Sequence, residues 1–321
     1  MNVSIVIPVY NEEESLPKLQ QALHEVLDSH SAVNWEVIYV DDGSTDESPK
    51  ILEKIAQDDS DHVRVVEFSS NFGQTAAIAA GIDYAQGESI VLLDADMQND
   101  PVDIPMMLEK LDQGYDVVSG WRVNRQDKFL TRTIPSRSAN WLISTVTGVK
   151  LHDYGCTLKA YRREVLTNFR LYGEMHRFIP AYASSVGAKI IEVPVRHHPR
   201  RSGETKYGLS RTTKVILDLF TVKFLMSYAN KPIYLFGGTG IILIIISFFS
   251  MLFLLVRRFA VGTSVFSSPI FILSILLLIL GFQSFLMGLI AELLMRTYHE
   301  STHKPTYTVQ KVVNLPSKEE N

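Results

Sequence analysis

The chain has 321 residues, 46% of them apolar, a formal net charge of −4 and one cysteine. That length buries a sizeable core and leaves room for one α/β domain plus further segments, and the mild negative charge gives no electrostatic case for a nucleic-acid partner. The single thiol, Cys156, excludes an intrachain disulfide framework and fits a reducing compartment.

The first residues carry no basic n-region and run straight into Asn11-Glu12-Glu13-Glu14, so they read as a first strand rather than a signal peptide. Short apolar runs then alternate with amphipathic stretches, which predicts βαβ units and a parallel sheet covered by helices. The expected strands are residues 3–9, 36–40, 63–68, 89–93 and 116–120, and the expected helices 14–29, 47–58, 73–85 and 102–113. Right-handed crossovers bring the carboxyl ends of the strands to one edge, where open α/β sheets place ligands.

Polar clusters follow the strands at that edge. Pro8-Val9-Tyr10-Asn11-Glu12 offers an aromatic face for a base, with an amide and a carboxylate for its edge or a ribose. In Asp41-Asp42-Gly43-Ser44-Thr45-Asp46, Ser44 and Glu47 have the spacing of a capping box, whereas the acidic crowding at Asp42 asks for a counter-charge or a ligand. Asn71-Phe72-Gly73-Gln74 precedes a small-residue helix suited to close packing on the sheet, or to holding a phosphate at its amino end. The most informative run is 90–98, an apolar strand ending on Asp94, Ala95 and Asp96. Strand alternation points both carboxylates to one side, where two hard oxygen donors suit Mg²⁺ or Mn²⁺ shared with a diphosphate. A polar strand end is the plain alternative.

Past Gly120 the chain turns basic, with Arg122, Arg125, Lys128, Arg132 and Arg137 leading into Trp141-Leu142-Ile143. Beside a membrane such a run suits an anionic head group on a lipid; a solvated charged face is the ordinary reading. A second basic cluster, with His197, His198, Arg200, Arg201 and Lys206, follows an expected strand at 190–195 and suits closure over phosphates. Residues 209–229 set Arg211, Lys214, Asp218 and Thr221 opposite Val215, Ile216, Leu219 and Phe220, the pattern of an interfacial helix or of one docked on the soluble domain.

Residues 235–256 and 269–291 lack formal charge, and each can cross a hydrocarbon core of ~30 Å as a helix. Two such runs joined by a short loop favour a transmembrane hairpin over buried core helices. Gly237-Gly238-Thr239-Gly240 reads there as small-residue helix packing. Lys214, Lys223, Lys231, Arg296, Lys304 and Lys311, against Arg257 and Arg258 in the connecting loop, predict cytoplasmic termini. The tail at 306–313 reads as a strand with a free edge able to pair with another subunit, a route to a homo-oligomer.

Together these motifs resemble the inverting family 2 glycosyltransferases of GT-A fold. They are more closely similar to the polyisoprenyl-phosphate glycosyltransferases, which include dolichol-phosphate mannose synthases and two-helix bacterial undecaprenyl-phosphate glucosyltransferases. The resemblance implies an α/β, GT-A (Rossmann-like), mostly parallel sheet domain over 1–208, an interfacial region over 209–231, a transmembrane hairpin over 232–295 and a cytoplasmic tail over 296–321. It implies nucleotide-sugar contacts from Pro8, Tyr10, Asn11, Glu12, Asp42, Asp94, Ala95, Asp96, Arg200, Arg201 and Lys206, and a metal on Asp94, Asp96 and Gln98. Arg122, Arg132, Arg137 and Ser138 match positions expected to hold the acceptor phosphate. Asp153-Tyr154-Gly155-Cys156 and Glu174-Met175-His176-Arg177-Phe178 match segments near the sugar pocket, and Asp153 joins Asp94, Asp96, Arg122 and Arg137 as the implied catalytic group. Gln98-Asn99-Asp100-Pro101 is longer by one residue than the family's usual Gln-Asp-Pro, which leaves Asp100 without an assigned role.

The implied activity is transfer of a sugar, with inversion, to undecaprenyl phosphate on the cytoplasmic face of the inner membrane. UDP-glucose is the foremost donor, with a UDP-aminoarabinose derivative, GDP-mannose and a UDP-N-acetylhexosamine behind it. Rivals are a processive polysaccharide synthase, whose Gln-x-x-Arg-Trp segment does not occur here, and a non-catalytic nucleotide-binding membrane scaffold. A dinucleotide oxidoreductase is disfavoured, since no Gly-x-Gly-x-x-Gly follows the first strand.

Overall fold

The computed structural model describes residues 2–30, 34–123, 140, 143–145, 147–166, 171, 175–199, 233–266, 268–301 and 307–315. The chain divides into two compact units, Met1–Val222 with Pro305–Asn321, and Lys223–Lys304.

In the first unit, β1 (Asn2–Val9) is buried along nearly its whole length, as befits a central parallel strand covered on both faces. It pairs in parallel with β2 (Asn34–Asp41) and with β4 (Ser89–Leu92), and β2 pairs in parallel with β3 (Val63–Phe68). Between these strands run α1 (Leu16–Leu27), α2 (Ser48–Asp58) and α3 (Gln74–Tyr84). Leu16, Leu19, Leu23 and Leu27 form the buried stripe of α1 at helical spacing. The small residues of α3 do bring it close to the sheet: a Cβ at Gly81 would run into the Val6 side chain of β1. After α4 (Ile104–Asp112) comes β5 (Val117–Trp121), followed by β6 (Lys159–Arg162), α5 (Ile179–Ser185) and β7 (Ile190–Pro194).

With a last strand, β8 (Val309–Val313), the sheet has the order β7-β5-β6-β4-β1-β2-β3-β8. Sequence patterning misses β6, which lies antiparallel between β4 and β5. Lys-Ala-Tyr-Arg looks too polar for a central strand, yet Lys159 is fully enclosed and its ammonium donates to the carbonyls of Tyr154 and Cys156. Satisfying those hydrogen bonds is what makes a buried cation tolerable.

The eighth strand, β8 (Val309–Val313), lies antiparallel on β3 of its own chain. The tail expected to pair with another subunit is therefore taken up by this sheet, because β3 would otherwise present an open edge. Val313 packs on the core, Lys311 pairs with Glu53 at 2.9 Å, and the Asn314 amide donates to the Ala56 and Val63 carbonyls.

The second unit is a pair of long helices, α6 (Ile233–Val261) and α7 (Pro269–Ser301). Their apolar spans, Leu235–Val261 and Pro269–Ala291, exceed the ~30 Å of a bilayer core at ~1.5 Å per residue. Phe248, Phe249, Phe253, Phe259 and Ile272 face outward, which is not how the core helix of a soluble domain buries its side chains. Gly240 and Gly281 let the backbones touch: a Cβ on either would come within 2.8 Å of the other's carbonyl oxygen. Thr239 and Ser284 share a hydrogen bond of 3.0 Å, and Ser247 donates to the Ser274 carbonyl, the polar pairing that apolar surroundings favour. Gly240→Leu is expected to force this crossing apart at a cost of ~1–3 kcal/mol, read as a lower melting temperature of the detergent-solubilised protein.

Candidate active site

The loops after β1 and β2 are laced together. Asn11 adopts φ of +58°, a left-handed conformation that asparagine tolerates better than most residues. Its amide nitrogen donates to Ser44 Oγ at 2.9 Å and its side-chain oxygen accepts from the Thr45 amide at 2.8 Å. Ser48 Oγ accepts from the Glu12 amide, and the Glu12 carboxylate accepts from Ser15. Asn11 and Glu12 thus shape the loop, while Tyr10 stands 38% exposed beside it. The capping box expected at Ser44 does not form: Ser44 Oγ turns to Asp41, and α2 starts without a side-chain cap from its N-cap residue Glu47. Ser44 Oγ is taken up instead as donor to Asp41 at the end of β2 and as acceptor from the Asn11 amide of the β1 loop, which accounts for the difference.

Asp42 supplies its own answer to the acidic crowding. Its carboxylate accepts from the Phe72 amide at 2.7 Å and the Gly73 amide at 2.9 Å. The amino end of α3, read from sequence as a phosphate site, is thereby occupied by a side chain of this protein. Burial raises the Asp42 pKa, opposed by those two amides. Gly43, at φ +68°, permits the approach, since a Cβ there would lie 2.6 Å from the Ser70 carbonyl carbon.

Asp94 and Asp96 lie beyond the end of β4, not on it: the strand stops at Leu92, and Met97 turns the chain at φ +58°. The alternation argument from sequence therefore fails in its geometry, although the two carboxylates remain electrostatic neighbours. Burial, then the Asp96 charge, lifts the Asp94 pKa to about 6, opposed by the Thr157 hydroxyl and by Arg122 and Lys159. Gln74 Nε2 donates to Asp94 Oδ1 at 2.8 Å, and the Gln98 amide to Asp96 Oδ1 at 3.1 Å. Among the described residues no cluster of three or more His, Cys, Asp or Glu would cage a metal. Two mutually repelling carboxylates with solvent on one side instead fit Mg²⁺ or Mn²⁺, which keep waters and take phosphate oxygens as ligands.

The residue of unassigned role, Asp100, caps the turn at Pro101 through the Val102 amide and pairs with His198 at 3.0 Å. His198 also donates its backbone amide to the Gln98 carbonyl at 2.8 Å, and the Arg196 amide donates to Asp103. The root of the basic segment is thus pinned to the acidic loop. Arg200, Arg201 and Lys206 themselves lie outside the described residues, as do Arg132, Arg137, Ser138, Glu174 and the expected interfacial helix at 209–231.

Arg122 leaves the end of β5 and forks onto Asp153, Nε to Oδ2 at 2.7 Å and Nη2 to Oδ1 at 2.9 Å. Their side chains are only 10% and 3% exposed. Burial alone would lower the guanidinium pKa, and Asp153 outweighs it, leaving Arg122 raised. Glu192, unmarked by any sequence motif, accepts from the His152 and Asp153 amides and so fixes the turn that carries Asp153. His176 sits against the first turn of α3, its Nδ1 2.7 Å from Thr75 Oγ1. Burial, then Arg177 and Lys159, pushes its pKa to about 3, so the ring is neutral. Burial also lifts the Cys156 thiol to about 11, which makes it inert as a nucleophile.

A carboxylate pair past the carboxyl end of a central strand, walled by loops from the neighbouring strands, is the layout of a nucleotide-dependent transferase on a GT-A sheet. Residues 4–169 match the family described as glycosyl transferase family 2. The chain is 42% identical over 315 residues to the dodecaprenyl-phosphate galacturonate synthase of Rhizobium johnstonii, covering 97% of this chain and 93% of that protein. To the undecaprenyl-phosphate 4-deoxy-4-formamido-L-arabinose transferase of Enterobacter sp. it is 39% identical over 319 residues, 98% and 94% of the two chains. Glucosyl-3-phosphoglycerate synthase from Mycobacterium tuberculosis, solved with Mn²⁺ and UDP-glucose, aligns with a TM-score of 0.50 at 17% identity, covering 69% of this chain and 78% of that one, a likeness of fold. The protein belongs to glycosyl transferase family 2 and is similar, along nearly its whole length, to polyprenyl-phosphate sugar transferases.

Proposed function

We propose that this protein transfers a sugar from a nucleoside diphosphate sugar to a polyprenyl phosphate at the cytoplasmic face of the membrane, inverting the anomeric centre. The observation that carries this reading is the acidic pair Asp94–Asp96, with the root of the basic segment fastened through His198 to Gln98 and Asp100 in the loop that follows it. Asp94 and Asp96, with Gln98, would hold a Mg²⁺ or Mn²⁺ ion, which when bound supplies charge stabilisation for the departing nucleoside diphosphate. The acceptor oxygen brings its own negative charge, since a phosphate monoester with a second pKa of about 6 is mostly dianionic at neutral pH. No side chain then has to remove a proton. What remains for the protein is to orient two anions and screen their repulsion, the role we assign to Arg122, Arg132, Arg137 and Ser138 on the acceptor side and to Arg200, Arg201 and Lys206 on the donor side.

Galacturonate and 4-deoxy-4-formamido-L-arabinose, the sugars in the names of the two relatives, rank ahead of glucose as the transferred group. Membrane topology has independent support: β3 and β8 share one sheet although α6 and α7 lie between them in the chain. Two crossings return the tail to the side of the catalytic unit, in keeping with the positive-inside bias.

The test is incubation of membranes holding the protein with undecaprenyl phosphate, Mg²⁺ or Mn²⁺ and the UDP forms of these three sugars. A lipid-soluble sugar phosphate of the matching mass is the expected result, with one sugar dominating. Transfer only to a water-soluble acceptor defeats the proposal.

A further inference from the structure

The segment that follows α7 does more than cap the sheet. Tyr307 stacks its ring on Phe68 at 5.1 Å and 15°, and its hydroxyl donates to Asp83 on α3 at 2.8 Å. Phe68 is buried, 2% exposed, and meets Phe72 edge to face at 5.6 Å and 88°. The Ser69 amide donates to the Thr308 carbonyl, which locks the tail beside these rings. Phe72 is 39% exposed, although its backbone is clamped by Asp42. An apolar ring with its back braced and its front in solvent is offered to something.

The sheet order supplies the geometry. Tyr10 follows β1 and Phe72 follows β3, with β2 between them. Two strand spacings separate those loops by about 9.6 Å, and a planar base held between two rings needs about 7–8 Å at van der Waals distance.

We propose that Phe72, braced by Phe68 and Tyr307, is the second aromatic wall of the nucleoside pocket opposite Tyr10, which makes the tail after α7 a positioning element for the donor. This rests on the reading of these loops as the nucleotide site. Tyr307 and Phe68 are positioning residues and Phe72 is the contact. Asp83 holds the Tyr307 hydroxyl from the α3 side, so the brace ties the tail to the same helix whose Gln74 reaches Asp94.

The experiment is titration of the full-length, detergent-solubilised protein with UDP and Mn²⁺ by calorimetry, beside steady-state kinetics. Phe72→Ala is expected to weaken UDP about tenfold, in line with the loss of one ring from a base stack. Tyr307→Ala is expected to weaken it about fivefold, raising the donor KM with kcat within about twofold, since the brace acts on binding alone. Tyr307→Phe keeps the stack and stays near wild type, as does Lys311→Ala, which loses an exposed ion pair only. If Tyr307→Ala does not fold, Tyr307→Leu and Phe72→Ala read the same quantity. Wild-type UDP affinity in both Phe72→Ala and the Tyr307 variant, or a fall in kcat at unchanged KM, overturns the proposal. Because the titration needs no acceptor, wild-type protein that binds UDP but makes no lipid-linked sugar defeats the functional reading and leaves this one standing.

Discussion

Asp96→Asn is expected to lower sugar transfer at least a hundredfold while the protein melts no earlier than wild type. The loss follows from the proposed metal site, since the variant removes one of its two charged oxygen donors, a class of preorganised contact whose deletion costs about 10²–10³ in rate. Stability moves the other way for an electrostatic reason. The Asp94 carboxyl is raised to about 6 by burial and by Asp96, so in the cation-free protein its ionised form opposes folding. A carboxyl whose folded pKa lies above its unfolded value stabilises the fold most at acid pH, and that stabilisation is lost as pH rises through the folded value. Wild-type protein in chelator should therefore melt at progressively lower temperature as pH rises from about 4 to about 7, and Asp96→Asn should flatten that dependence. The checks are product formation by mass and melting curves across that range. Wild-type turnover in Asp96→Asn removes the acidic pair from the mechanism.

Breaking the Arg122–Asp153 fork is expected to be the most destabilising single change in the catalytic unit. Removing one partner of a buried ion pair leaves the other uncompensated, at about 3–5 kcal/mol, so Arg122→Ala and Asp153→Ala should each lower the melting temperature markedly. A double replacement, Arg122→Met with Asp153→Leu, separates structure from chemistry. Stability should return in part, because apolar partners avoid the desolvation cost, although the Gly155 amide loses its acceptor on Asp153. Activity should stay low, because the acceptor side keeps Arg132 and Arg137 but loses the Arg122 cation that we propose meets the phosphate. Recovery of transfer in the double variant assigns Arg122 to scaffolding alone.

Much of this architecture is legible in the residues themselves. Strands 3–9 and 63–68 and the helix over 73–85 announce themselves by apolar runs and small residues, and the structure has them at Asn2–Val9, Val63–Phe68 and Gln74–Tyr84. What patterning misses is governed by partners outside the element itself. Lys159 makes β6 look exposed because the carbonyls that satisfy it come from the preceding turn. Ser44 abandons a local cap because Asn11, from another loop, competes for it. Asp94 and Asp96 stand out in the sequence as a pair, but local alternation cannot foresee that the strand stops at Leu92, before either of them. Glu192 and Gln74 carry no motif, and their importance exists only once the fold brings them to Asp153 and Asp94.

The pairing of Val65 with Val313 has a bearing on how the molecule is made. Non-local strand pairing of this kind is slow and comes after local structure, and here its second half leaves the ribosome only after both apolar helices have been synthesised. The open edge of β3 is thus covered last, by a strand that follows both long helices in the chain.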